Sequence, residues 1–125
     1  MLARPSPLVE KVIGCAIEVH HCLGPGLLES SYRNCLVQEF QLTGLNFKAE
    51  VEVPIHYKGT SIHCGYRADL IVEGVLLIEL KSIDRLLPIH QAQVLTYMKL
   101  LNLRQGLLIN FNAHRLTDGL KNLLL

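Results

Sequence analysis

No stretch of this chain approaches the roughly 20 consecutive apolar residues of a membrane span, although half of its residues are hydrophobic. No membrane partner is therefore expected. Strong charge of one sign is missing too. Twelve Lys and Arg stand against eleven Asp and Glu, for a net charge of +1. A protein that clamps many phosphates nonspecifically is usually more basic. Nucleic-acid binding would have to come from a local patch, a small footprint or an oligomer. The four cysteines, Cys15, Cys22, Cys35 and Cys64, show no CxxC spacing and read as reduced thiols of a cytoplasmic protein. Repeats, linkers and low-complexity runs are absent, so the 125 residues form a single domain. The segment MLARPSPLVEKVIGCAIEV does not resemble a signal peptide. Two prolines precede its apolar part, Glu10 and Lys11 interrupt it, and its pattern is amphipathic.

What is present divides by period. Ser6-Pro7 is a helix start, and Leu8, Val12, Cys15, Val19 and Cys22 form one apolar stripe. Gly24-Pro25-Gly26 breaks that helix, and a second is expected over 27–43 with Gly44 as its stop. From Phe47 the pattern alternates. Strands are expected over 48–57, 61–72 and 75–81, joined by turns at Lys58-Gly59 and Glu73-Gly74. Pro88 opens a helix over 89–101, GLLINF reads as a short strand, and 116–125 as a final helix. The leucines of KNLLL either close the core or contact a second copy, and the homodimer contact is preferred. The fold class is α/β: a mixed sheet of about four strands flanked by helices.

Within VLLIELKS, Glu79 and Lys81 are two apart and share one strand face. A charge in such an apolar run costs several kcal/mol unless it is paired, hydrogen-bonded or bound to a metal. Asp69, in RADLIV, lies across the Glu73-Gly74 turn. A two-residue loop would set Asp69 opposite Ile78 and turn Glu79 away. A register shifted by one, through a three-residue loop or a bulge, sets Asp69 opposite Glu79 and Arg67 opposite Lys81. The shifted register is the expectation. Two carboxylates within about 5 Å repel unless a cation lies between them. A hard divalent ion, Mg²⁺ or Mn²⁺, suits such oxygen ligands, and a neighbouring lysine can orient or deprotonate a water. Asp69, Glu79 and Lys81 therefore fit metal-dependent phosphodiester hydrolysis. The competing reading is a hairpin with a solvated charged face.

Two further pairs bear on that choice. Glu29 and Tyr32, in GLLESSY, lie one turn apart, and Glu29 is a candidate third acidic group. Gln93 and Tyr97, in QVLTY, share one helix face and suit a nucleotide, a water or the lysine. A zinc site at Cys15, His20, His21 and Cys22 is disfavoured, because adjacent histidines diverge by about 100° on a helix. His20 remains a candidate supporting donor. Gly24-Pro25-Gly26 lacks the lysine and spacing of a phosphate loop and reads as a turn that aims Glu29.

GPGLLESSY, RADLIV, IELKS, QVLTY and GLLINF, in that order, resemble the GxxExxY family of the PD-(D/E)XK nuclease-like superfamily. The resemblance runs from about Val12 to Leu120. It implies a restriction-endonuclease-like core with Asp69 and Glu79 as metal ligands and Lys81 as the catalytic lysine. Glu29 becomes the helical acidic residue and a further ligand, and Gln93 and Tyr97 match the QxxxY motif of related nucleases. One departure is Ala68, where that pattern has proline. The expectation is a Mg²⁺- or Mn²⁺-dependent nuclease acting on DNA or RNA. Its rivals are a catalytically silent nuclease-like binding or regulatory module and a metal-free structural partner.

Overall fold

The computed structural model describes residues 5–125, so the first four residues of the amphipathic N-terminal segment lie outside the described residues. The elements are α1 (Pro7–Leu23), α2 (Glu29–Thr43), β1 (Phe47–Glu52), β2 (Ile55–Tyr57), β3 (Thr60–Ile62), β4 (Arg67–Val72), β5 (Leu76–Lys81), α3 (Pro88–Leu100), β6 (Gln105–Asn110) and β7 (Leu120–Leu124). Five strands form a mixed sheet in the order β1-β4-β5-β6-β7, antiparallel except for the parallel β5/β6 pair. The remaining two make a separate hairpin.

Strand alternation divides the core. Leu76, Ile78 and Leu80 of β5 face α1 and α2, where Val12, Val19, Leu36 and Phe40 pack with them. Leu77 faces Val94 and Met98 of α3 on the other side. At Gly106 of β6 a Cβ would come within 2.5 Å of Met98 Sδ and 3.0 Å of Val94 Cγ1, so the helix rests directly on strand backbone. No helix among the described residues is long and apolar enough to cross a membrane.

The helix ends follow local chemistry. Ser6 caps α1 by accepting the Val9 N–H, Pro7 begins it, and Gly44 closes α2 in the left-handed region. His90 Nδ1 accepts the Leu87 N–H at the start of α3. The α1 stripe is buried at Val12, Cys15 and Val19, but Cys22 is exposed and its thiol donates to Glu18. The stripe drifts off the core before the helix ends.

Three expectations change. The strand expected over 48–57 breaks at Val53-Pro54, where proline has no N–H for the ladder. The one expected over 61–72 breaks before Arg67, so the sheet and the hairpin are separate. The expected final helix is a short 3-10 turn at Leu116–Gly119 followed by β7. Gly119 abuts the Asn110 carbonyl, and the leucine tail hydrogen-bonds along β6, burying Leu123. The sheet thus has five strands rather than about four.

Candidate active site

The β4/β5 register is the shifted one: Leu70 faces Ile78 and Val72 faces Leu76 across a three-residue loop. Glu73 and Gly74 both have positive φ, and Val75 N–H donates to the Val72 carbonyl, which leaves Val75 as the extra residue. Continuing the register sets Asp69 opposite Glu79.

There side chains replace the main-chain ladder. The Asp69 N–H donates to Glu79 Oε1 at 2.9 Å, and the Leu80 N–H donates to Asp69 Oδ2 at 2.8 Å. Glu79 is only 6% exposed. Burial, followed by the Asp69 carboxylate, pushes its acid up to about 8, against the Asp69 N–H bond and the Lys81 charge. Lys81 lies one residue beyond Leu80 on the same strand face as Glu79.

Helix α2 contributes two groups. Arg33 Nη1 stands 3.1 Å from Asp69 Oδ1, and its Nη2 stands 3.6 Å from Glu50 Oε1. Glu50 has φ 51° within β1, and the β1/β4 pairing skips it. A non-glycine residue in that region stores on the order of 1–3 kcal/mol, consistent with a constrained site. Glu29 Oε2 accepts the Ser82 N–H at 3.1 Å, and Ser82 Oγ donates to the Leu27 carbonyl at 2.5 Å. Glu29 is thereby held at the end of β5, just past Lys81. An open cleft of about 420 Å³ is lined there by Leu27, Leu28, Glu29, Ser30, Arg33 and Ser82.

The turn before α2 is held by Tyr32, whose hydroxyl donates to the Gly24 carbonyl at 2.5 Å and accepts the Leu27 N–H at 3.1 Å. Its ring stacks on Phe111 at 4.5 Å. His20 bonds the Ala113 carbonyl, tying α1 to the segment after β6. From α3, Gln93 Nε2 donates to the Tyr97 hydroxyl at 3.4 Å. Burial, then the charges of Glu79, Tyr66 and Asp69, raise the Tyr97 pKa, so its phenol stays protonated beside the acidic pair.

Among the described residues no three His, Cys, Asp or Glu side chains converge on a point fit to hold a metal ion. The structure brings Asp69 and Glu79 together, and sets Glu29 on a backbone amide instead. A carboxylate pair with Glu79 buried and Asp69 partly exposed, oxygen-only and mutually repulsive, fits a hard divalent ion that keeps several waters. Arg33, Glu50 and Ser82 are positioned here without having been singled out from the sequence. Arg33 lies one turn past Glu29 and Ser82 follows Lys81, whereas nothing in the sequence marks Glu50. A second cleft, of about 450 Å³, has Glu73 as its one acidic lining residue, so size does not locate the chemistry.

The family profile described as the PD-(D/E)XK nuclease superfamily matches residues 6–123. No curated protein and no solved structure matches the chain. The mixed five-stranded sheet flanked by helices is consistent with a restriction-endonuclease-like fold. With nearly its whole length matched, and with the paired carboxylates and lysine on adjacent antiparallel strands, the chain belongs to the PD-(D/E)XK nuclease superfamily.

Proposed function

We propose that this chain hydrolyses phosphodiester bonds of DNA or RNA with Mg²⁺ or Mn²⁺, as the GxxExxY resemblance implies. The observation that carries the reading is the shifted β4/β5 register, which brings the Asp69 and Glu79 carboxylates together and aims Lys81 from the same face. Asp69 and Glu79 would hold the ion, with Glu29 contributing through a water. When bound, the ion supplies Lewis acidity at the phosphoryl oxygen and eases ionisation of the attacking water. Lys81 orients that water and offsets charge that develops on the phosphoryl group. Gln93 and the protonated Tyr97 offer hydrogen bonds to the substrate or to Lys81.

The test is cleavage of labelled single- and double-stranded DNA and RNA with Mn²⁺. Wild type is expected to cut at least one of them, and Asp69→Asn and Lys81→Ala to lower the rate by about a hundredfold or more. Equal residual cleavage in all three proteins would mark a contaminating nuclease and end the reading.

One observation favours a second reading, a nuclease-like module that binds nucleic acid without cutting it. Arg33 already supplies a cation 3.1 Å from Asp69 Oδ1. On that reading nucleic-acid binding survives both substitutions, and no metal alters the oligonucleotides.

A further inference from the structure

Every residue from His56 to Arg67 is exposed, although seven of them belong to or join the ordered β2–β3 hairpin. The hairpin turns tightly at Lys58 and Gly59, both with positive φ, and pairs Ile55 with Ile62 and Tyr57 with Thr60. A two-stranded ribbon is marginal in water unless something packs on it, and this one sets its large side chains into solvent. Tyr57 is 58% exposed, Tyr66 45% and Ile62 41%. The chain has four tyrosines. Tyr32 and Tyr97 are buried, and the two exposed ones both lie in this arm.

The charge of the arm is one-sided. Between Glu52 and Asp69 the sequence holds Lys58, Arg67 and two histidines, and no Asp or Glu. In a chain of net charge +1 this is the kind of local patch a polyanion requires. Lys58 Nζ lies 5.4 Å from the centre of the Tyr57 ring, so cation and aromatic face are presented together.

The arm is also continuous with the candidate active site. At its base Val53 N–H donates to the Tyr66 carbonyl at 2.8 Å, and His63 Nδ1 contacts Glu52 Oε1. The Tyr66 ring stands 6.1 Å from Tyr97, the phenol beside the acidic pair. Arg67 is two residues from Asp69 on the same strand.

We infer that the β2–β3 arm clamps single-stranded nucleic acid, with Tyr57 and Tyr66 stacking unpaired bases and Lys58 and Arg67 meeting phosphates. The strand then runs on to Asp69 and Glu79. Aromatic faces accept any base but need it out of the duplex, and for that reason the occupant is single-stranded. The inference rests on the nucleic-acid reading of the site and narrows its substrate.

The test is fluorescence anisotropy of the full chain with labelled oligothymidylate, oligouridylate and a duplex of equal length, in EDTA. Either single strand is expected to bind at least about five-fold more tightly than the duplex. Tyr57→Ala and Tyr66→Ala should each weaken that binding about five-fold or more, while Tyr57→Phe keeps it. Lys58→Ala should reduce the slope of log affinity against log salt by about 0.7. Tyr57 and Lys58 sit at the exposed tip, so these variants leave the core intact. Absence of binding, preference for duplex, or alanine variants that bind like wild type would overturn the clamp. A parallel Mn²⁺ cleavage assay separates the two ideas. Binding through the arm without cleavage supports the clamp and ends the nuclease reading. Cleavage that Tyr57→Ala and Tyr66→Ala leave untouched ends the clamp and leaves the nuclease.

Discussion

Asp69 and Glu79 are joined twice across β4 and β5: the Asp69 amide bonds Glu79 Oε1, and the Asp69 carboxylate bonds the amide that follows Glu79. Backbone donors thus fix both acids, and the Arg33 guanidinium adds a side-chain partner on Asp69 Oδ1.

Metal binding is expected to raise the melting temperature. Mn²⁺ at about 100 times its Kd would add about 2.7 kcal/mol, worth several °C in a domain of this size. Thermal shift should register the rise in wild type and its loss in Asp69→Asn/Glu79→Gln. A rise that persists in the double variant would move the ion elsewhere.

Without metal, stability should fall as pH rises. Glu79 is raised from 4.5 to about 8, so the folded chain keeps a proton that the unfolded chain releases. That contribution is fully present below about pH 4.5 and is lost as pH passes through about 8. The loss is on the order of a few kcal/mol. Comparing Tm against pH in EDTA for wild type and Glu79→Gln isolates it from the histidines. The variant should be the flatter of the two.

Glu29 has a structural bond and a proposed chemical role, and these separate. Glu29→Ala removes the acceptor of the Ser82 N–H and should destabilise the fold by about 1–2 kcal/mol. Glu29→Gln keeps an acceptor oxygen and should hold the melting temperature, yet lower cleavage if the carboxylate acts through water. Normal cleavage by the glutamine variant would confine Glu29 to structure.

Tyr32→Phe keeps the ring on Phe111 and strips both partners from the 24–27 turn. Urea unfolding should report a loss of about 1–3 kcal/mol. An unchanged midpoint would mean that water replaces the hydroxyl.

Much of this was legible in the chain. Val12, Cys15 and Val19 at helical spacing lie in the core, and Gly44 ends α2 where a left-handed residue was required. The Glu73-Gly74 turn left two registers open; the shifted one was expected because it sets Asp69 opposite Glu79, and it is the register observed. Period and turn chemistry are local, so each is written in a few consecutive residues. The C-terminal leucines were not legible, because an apolar run of that length suits a helix or a strand. Only the open edge of β6 made it β7.

By itself, then, the sequence determined the α/β class and the placing of Glu79 and Lys81 on one strand face, with Asp69 on the neighbouring strand. These depend on alternation along two strands joined by one short turn. Tertiary structure alone decided that Arg33, 36 residues from Asp69, would hold its carboxylate, and that Glu29 would settle on Ser82, 53 residues away. It also decided that the Pro54 break would send the Tyr57 arm off the sheet. Partners brought from separate elements depend on how helices and strands pack, and no local pattern encodes which side chains that packing brings within hydrogen-bond reach.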